Sequence, residues 1–189
     1  MEQHITKQLS VKHPTCSYVM TRKETLVVDL VITTSVSFSA DFTLTMKAMG
    51  GNATVRCIVL PKKGARVKLT THQIHIAPNA KSDVLVKSVI TDASVITFQG
   101  NVSIGKRAKK SDAYQKNENL IFGDGGVIIT SPTLEILNND VRCTHGVTTG
   151  TIPDDVLWYM QSRGISEAGA KALYIDGFIR GSMGTIEKW

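Results

Sequence analysis

The sequence predicts a mainly β chain that closes with a short α-helical hairpin. Three observations carry this. From about Thr25 to Val141 the chain is a succession of short, β-branched segments, some alternating apolar and polar residues with period two. Asn, Gly, Pro and Asp punctuate these segments, and no long helical pattern intervenes to build βαβ units. After Gly150 the apolar spacing changes to that of helices.

The longest apolar run, Leu26–Ile32, is interrupted by Asp29. Val36–Met46 (VSFSADFTLTM) alternates with period two. Ala53–Leu60, Ala65–Ile76, Ser82–Ile90, Ser94–Phe98 and Val127–Leu137 read as further short strands. Between them lie turn signals: Gly50-Gly51-Asn52, Pro61, Pro78-Asn79, Asp92, Gly100-Asn101, Gly123-Asp124-Gly125-Gly126 and Asn138-Asn139. Sandwich, barrel and solenoid are the all-β architectures open to such a chain. Small polar residues inside the strands (Thr70, Thr71, Ser88, Thr97) suit a solenoid, where each strand needs only one face in the stacked core. No fixed-period repeat is visible, so pattern leaves solenoid and sandwich level.

The helical part begins near Pro153, a residue tolerated in a helix's first turn. Asp154 and Asp155 place negative charge at that helix's positive end. Val156, Leu157 and Met160 form its apolar stripe, and Arg163-Gly164 ends it with glycine in the left-handed position. Ser166 caps a second helix over roughly Glu167–Phe178, whose small face (Ala168, Ala170, Ala172) permits close packing. The residues after Gly181 are expected to be loose. The organisation is thus a β core over residues 1–150 and a helical segment over 151–189.

Composition bounds the function. The 189 residues suffice for one compact domain, or one with a small appendage. No apolar run approaches the roughly 18 residues of a membrane span, and the N-terminus has no signal-peptide architecture, so a cytoplasmic protein is expected. Cys16, Cys57 and Cys143 are odd in number and far apart, which argues against a disulfide framework. The formal charge is +6, with clusters at Lys62-Lys63, Arg66, Lys68 and at Lys106-Arg107, Lys109-Lys110. No aromatic residues interleave with them, so they read as solvated loops at strand ends, with neither nucleic acid nor membrane as partner. Asp124-Gly125-Gly126 lacks the Gly-Lys-Ser/Thr ending of a phosphate loop and reads as a tight turn.

The segment Asp140–Gly164 carries the one obvious soft-ligand chemistry. On an extended strand residues i and i+2 face the same way, about 6.6 Å apart at their α-carbons, so Cys143 and His145 can present sulfur and nitrogen to one shared atom. Thiolate and imidazole suit iron, iron–sulfur clusters and zinc. Two ligands do not complete a four-coordinate site, so a partner chain or a second copy would supply the rest. The competing reading is a buried cysteine and a hydrogen-bonded histidine at a strand end. His72 and His75, three apart, fall on opposite strand faces and read as packing or surface residues. A carboxylate cluster of the kind used by β-helical carbohydrate-active enzymes is not visible; such an enzyme and a purely structural solenoid stand as alternatives.

Several blocks resemble one family. H-Q-I-H-I-A-P-N-A-K-S-D-V-L-V-K-S-V-I-T-D (His72–Asp92), F-Q-G (Phe98–Gly100), D-A-Y-Q-K-N-E-N-L (Asp112–Leu120), S-P-T-L-E-I (Ser131–Ile136), D-V-R-C-T-H-G-V-T-T-G (Asp140–Gly150) and L-W-Y-M-Q-S-R-G-I (Leu157–Ile165) follow the order and spacing of the SufB/SufD family of the SUF iron–sulfur cluster assembly system. The resemblance covers about Ala65 to Arg180 and is nearer the SufD branch. It implies a right-handed parallel β-helix with a C-terminal helical hairpin. It further implies a non-catalytic scaffold that pairs through its β-helix with a SufB-like chain or a second copy. On this resemblance Cys143 and His145 are cluster-assembly ligands at the interface, holding a transient iron–sulfur cluster. Leu157, Trp158, Tyr159, Ser162, Arg163 and Gly164 dock a SufC-type ABC ATPase, through which alone ATP enters. The SufB branch has a glutamate where this chain has Gly146 and a cysteine near Asn117; both are absent here. Set against the resemblance, the sequence is expected to be short for the family, without its N-terminal helical region.

Overall fold

The computed structural model describes residues 2–91 and 93–181. Its elements run β1 (Glu2–Gln8), β2 (Thr15–Met20), β3 (Thr25–Thr34), β4 (Phe38–Met46), β5 (Asn52–Pro61), β6 (Arg66–His75), β7 (Lys81–Ile90), β8 (Val95–Ile104), β9 (Asp112–Ile121), β10 (Val127–Ile136), β11 (Arg142–Thr151), α1 (Asp154–Ser162) and α2 (Glu167–Arg180). Each strand is followed by one in the opposite sheet. Strands two apart in sequence therefore lie side by side and parallel, in the orders β1-β3-β5-β7-β9-β11 and β10-β8-β6-β4-β2. This is a β-solenoid of about five turns, and it decides against the sandwich.

Alternate residues of each strand point into the lumen and stack into rows. Val28, Val55, Val84, Gln115 and His145 form one row; Ile32, Val59, Ser88, Asn119 and Thr149 form another. The lumen is apolar in its early turns, around Leu30, Ile32, Phe42 and Leu44, all buried. It turns polar later: Thr71, Gln73, His75, Ser82, Ser88, Gln115, Asn117 and Asn119 are buried. Buried polar groups need partners, and the stacked amides supply many of them. Gln115 Nε2 donates to Thr71 Oγ1 and to Gln73 Oε1, both at 3.2 Å. Gln73 Nε2 donates to Ser82 Oγ at 2.9 Å, and Asn119 Nδ2 to Asn117 Oδ1 at 2.8 Å. The charge inside the Leu26–Ile32 run is explained by direction: Asp29 faces outward from β3, where Arg56 donates to it at 2.6 and 2.8 Å and His4 lies at 2.7 Å.

Turns recur as well. Gly50 (φ 68°), Asn79 (φ 58°) and Lys110 (φ 55°) occupy the same place in successive loops, two residues before the aligned Asn52, Lys81 and Asp112. Left-handed backbone is easy for glycine and tolerable for asparagine, but costs other residues roughly 1–2 kcal/mol. Lys110 is the exception in that column.

The two helices fold back over the outer face of the six-stranded sheet. α2 closes a second core in which Ile179 meets Ile58, Val89 and Leu120, with Tyr174, Ile175 and Phe178 around them. Beneath its last turn, Lys87 donates from Nζ to the Phe178 carbonyl, lies 4.6 Å from the Phe178 ring centroid and pairs with Glu118 at 3.1 Å. A cation at a helix C-terminus also offsets the helix dipole. Ser166 accepts from Gly169 N, and Gly164 has φ 84°, as the sequence predicts.

Several expectations are corrected. β1, β2 and β9 are strands that the apolar pattern does not reveal: most lumen-facing residues of β1 and β9 are polar, and β2 is only six residues long, with Cys16, Tyr18 and Met20 turned inward. Gly100-Asn101 is no turn but lies inside β8; Gly100 faces the Gln115 side chain, leaving no room for a Cβ. Pro153 sits at the N-cap, with ψ 135°, rather than in the first turn. On the small face of α2 only Ala170 is buried, and the larger residues make the packing. The tail expected to be loose after Gly181 lies outside the described residues. Among the described residues no helix is long and apolar enough to cross a membrane.

Candidate functional site

Among the described residues β11 ends the six-stranded sheet and pairs with β9 alone, and β10 ends the other sheet and pairs with β8 alone. The last turn of the solenoid therefore exposes two strand edges at one end, with the lumen opening between them. Its inward residues are only partly covered: Ile128 and Leu134 are half-buried, and Ile136 and Val147 are exposed.

Cys143 and His145 lie at this mouth. Their partners across β9 are Ala113 and Gln115, both buried lumen residues, so thiol and imidazole share the inward face. Cys143 packs against Val102, Ile104, Ala108 and Ala113 and is half-buried, while His145 is exposed. Burial raises the Cys143 pKa, and the Asp112 carboxylate raises it further. The group is thus held as a thiol and has to release a proton when it binds metal. No set of three His, Cys, Asp or Glu side chains suited to a metal ion occurs among the described residues. The donor types fit iron, but the set is incomplete. All three cysteines are free, and burial pushes the Cys57 thiol to about 12.

His72 and His75 lie on opposite faces of β6, with His75 in the lumen beside Ser82 (Nε2 to Oγ, 2.7 Å). The amide network behind the mouth is a feature that sequence reasoning misses. Its signal is present in D-A-Y-Q-K-N-E-N-L, where Gln115, Asn117 and Asn119 repeat at period two.

The second candidate surface is α1 and its end. Leu157 turns toward the protein's own core, packing with Ile152 and Ile179. Trp158 and Tyr159 project outward, 70% and 62% exposed. Ser162 donates to the Tyr159 carbonyl at 2.7 Å, and the Arg163 guanidinium lies 5.2 Å from the Tyr159 ring, so Ser162, Arg163 and Tyr159 form one exposed cluster ahead of Gly164. Beside it, the first turns of α2 and Phe122 border a groove of about 740 Å³.

A groove of about 250 Å³ on the outer sheet face holds Asp83, Tyr114, Lys116 and Glu118. Burial raises the Glu118 pKa, but Lys116 and Lys87 outweigh it and hold the carboxyl below its ordinary range. A glycosidase acid requires the opposite shift.

Residues 11–178 match the family described as SUF system FeS cluster assembly, SufBD core domain. The chain belongs to this family. It is 33% identical over 131 residues to the iron–sulfur cluster assembly protein SufD of Escherichia coli K12, covering 68% of this chain and 31% of that protein. It is 30% identical over 134 residues to SufB of Bacillus subtilis, covering 71% of this chain and 29% of that one. A SufBD family protein of Synechocystis is 28% identical over 123 residues, covering 65% of this chain and 26% of that protein. The chain thus spans about a third or less of these relatives' lengths, and within the family its resemblance leans toward SufD.

Proposed function

We propose that this chain is a non-catalytic, cytoplasmic scaffold of iron–sulfur cluster assembly. It pairs through the open end of its β-helix with a SufB-like chain or a second copy, and binds a SufC-type ABC ATPase through its C-terminal helices. The observation that carries this reading is the unsealed last turn. Two free strand edges and a half-covered lumen lie at the end that bears Cys143 and His145. An exposed strand edge is a ready template for pairing with another chain. Pairing there would bring a partner's ligands to Cys143 and His145, which hold a transient cluster as cargo. ATP acts only through the partner ATPase. Trp158, Tyr159, Ser162, Arg163 and Gly164 form its landing surface, on the pattern of exposed aromatic and arginine anchors, and Leu157 seats that helix.

The test is anaerobic co-expression with a SufB-like chain and a SufC-type ATPase, followed by co-purification and visible spectroscopy. A three-component complex carrying iron and sulfide is expected. Cys143→Ser with His145→Ala should leave the complex intact and remove most of its cluster absorption. Trp158→Ala with Tyr159→Asp should release the ATPase alone. A complex whose cluster content ignores the first variant makes the pair structural; retained ATPase in the second moves docking elsewhere.

A further inference from the structure

The solenoid brings basic residues together that are far apart in sequence. Five loops join the five-stranded sheet to the six-stranded one, over residues 21–24, 47–51, 76–80, 105–111 and 137–141, and all stack along one edge. Successive turns lie about 4.8 Å apart, so this edge is about 19 Å long. It carries Arg22, Lys23, Lys47, Lys106, Arg107, Lys109 and Lys110, all exposed, against Glu24 and Asp140: seven cations and two carboxylates, a net of +5 in a chain of +6. None of the seven cations forms an ion pair among the described residues. Lys110 moreover holds the left-handed position that glycine and asparagine hold in neighbouring loops. Lys62 and Lys63, the other basic pair, fall on the opposite edge, in the loop between β5 and β6.

This edge reaches the mouth of the lumen. Asn138 Nδ2 donates to the Lys106 carbonyl at 2.6 Å, and Lys110 N to the Asp140 carbonyl at 2.6 Å. The most basic loop is thereby stacked on the loop that leads directly into Arg142 and Cys143.

We infer that this edge is a docking surface for an acidic protein, which it holds beside the mouth bearing Cys143 and His145. Charge complementarity selects the partner's sign and speeds its arrival. The chemistry of the edge selects a protein. No Phe, Tyr or Trp occurs in the five loops, so nothing there stacks on nucleobases. Among the described residues no amphipathic helix lies along it to enter a lipid surface. Met49, Ile76 and Leu137, exposed in three different loops, set apolar contacts among the cations, the mixture found at protein interfaces. An unpaired, charge-rich surface suits a partner that visits and leaves. That such a visitor serves cluster assembly rests on the function proposed above; its binding does not.

The test measures binding of the full chain to a labelled poly-glutamate peptide of about 20 residues, a single-stranded oligonucleotide of equal charge, and phosphatidylserine vesicles, at low and moderate salt. The peptide should bind tightest and weaken with salt. Lys106→Glu/Arg107→Glu/Lys109→Glu/Lys110→Glu should lower its affinity about tenfold or more. The charge-matched Lys62→Glu/Lys63→Glu/Arg66→Glu/Lys68→Glu, off this edge, should change it less than about threefold. Equal losses in the two variants, or tighter binding of oligonucleotide or vesicles, would overturn the inference. Thermal melts of both variants control for folding. Cys143→Ser/His145→Ala should bind the peptide as wild type, which separates failure of the assembly role from failure of the docking surface.

Discussion

Acidification should unsettle the solenoid through His75. Its side chain is 1% exposed, inside the lumen, with Nε2 2.7 Å from Ser82 Oγ and with no partner for Nδ1 among the described residues. Burial lowers its pKa from 6.5 to about 4, and the Asp112 carboxylate only partly opposes this. The unfolded chain accepts a proton near 6.5 that the folded chain refuses until about 4. Stability is therefore complete above about 6.5 and declines as pH falls through that window. One proton withheld across the whole interval is worth about 3 kcal/mol, and about 2 kcal/mol of it should be lost between pH 7.5 and 5. Glu118 and Glu167, whose pKa values are depressed, lose their contribution only below the ordinary carboxylate value, outside the pH 5–7.5 interval, and the His75→Gln comparison assigns the slope within it. The assay is urea unfolding at pH 7.5, 6 and 5, for the wild type and His75→Gln. The glutamine variant should have a lower stability that varies much less with pH. Equal pH slopes in the two proteins would refute the reasoning.

Two further perturbations test the packing. Lys87→Met leaves the Phe178 carbonyl without its buried donor, while Glu118 keeps Lys116. It should cost about 1–3 kcal/mol and speed amide exchange in the last turn of α2 about tenfold, and unchanged exchange there would show that Lys87 does not hold the helix. Gly100→Ala puts a Cβ 2.0 Å from Gln115 Oε1, at a cost of about 1–3 kcal/mol; adding Gln115→Ser should recover most of it, and a fully stable single variant would contradict the close approach.

How much is legible in the sequence follows from where the apolar residues fall. β4, β5 and β7 alternate or run apolar and can be read nearly to their ends. β11 announces itself through Cys143 and His145, and α1 and α2 through Gly164 and Ser166. β9 is hidden because its inward positions are Ala113, Gln115, Asn117 and Asn119, whose fit depends on neighbours above and below in the stack. Local alternation does not register a side chain satisfied by a residue in the next turn of the stack. The same holds for Lys87, which reads as a solvated strand residue until α2 returns 91 residues later to cover it. The basic edge is equally invisible: Arg22, Lys47 and Lys106 become neighbours only once the rise per turn is known.

The placement of α2 has a mechanical consequence. In a stack of parallel turns each rung touches only its neighbours, so the array can slip or fray one rung at a time. α2 touches Ile58 of β5, Val89 of β7 and Leu120 of β9 together. It acts as a splint across three rungs. A load applied to the helix is shared among them instead of prying one loose, and the solenoid answers as a lever rather than as a string of separate links.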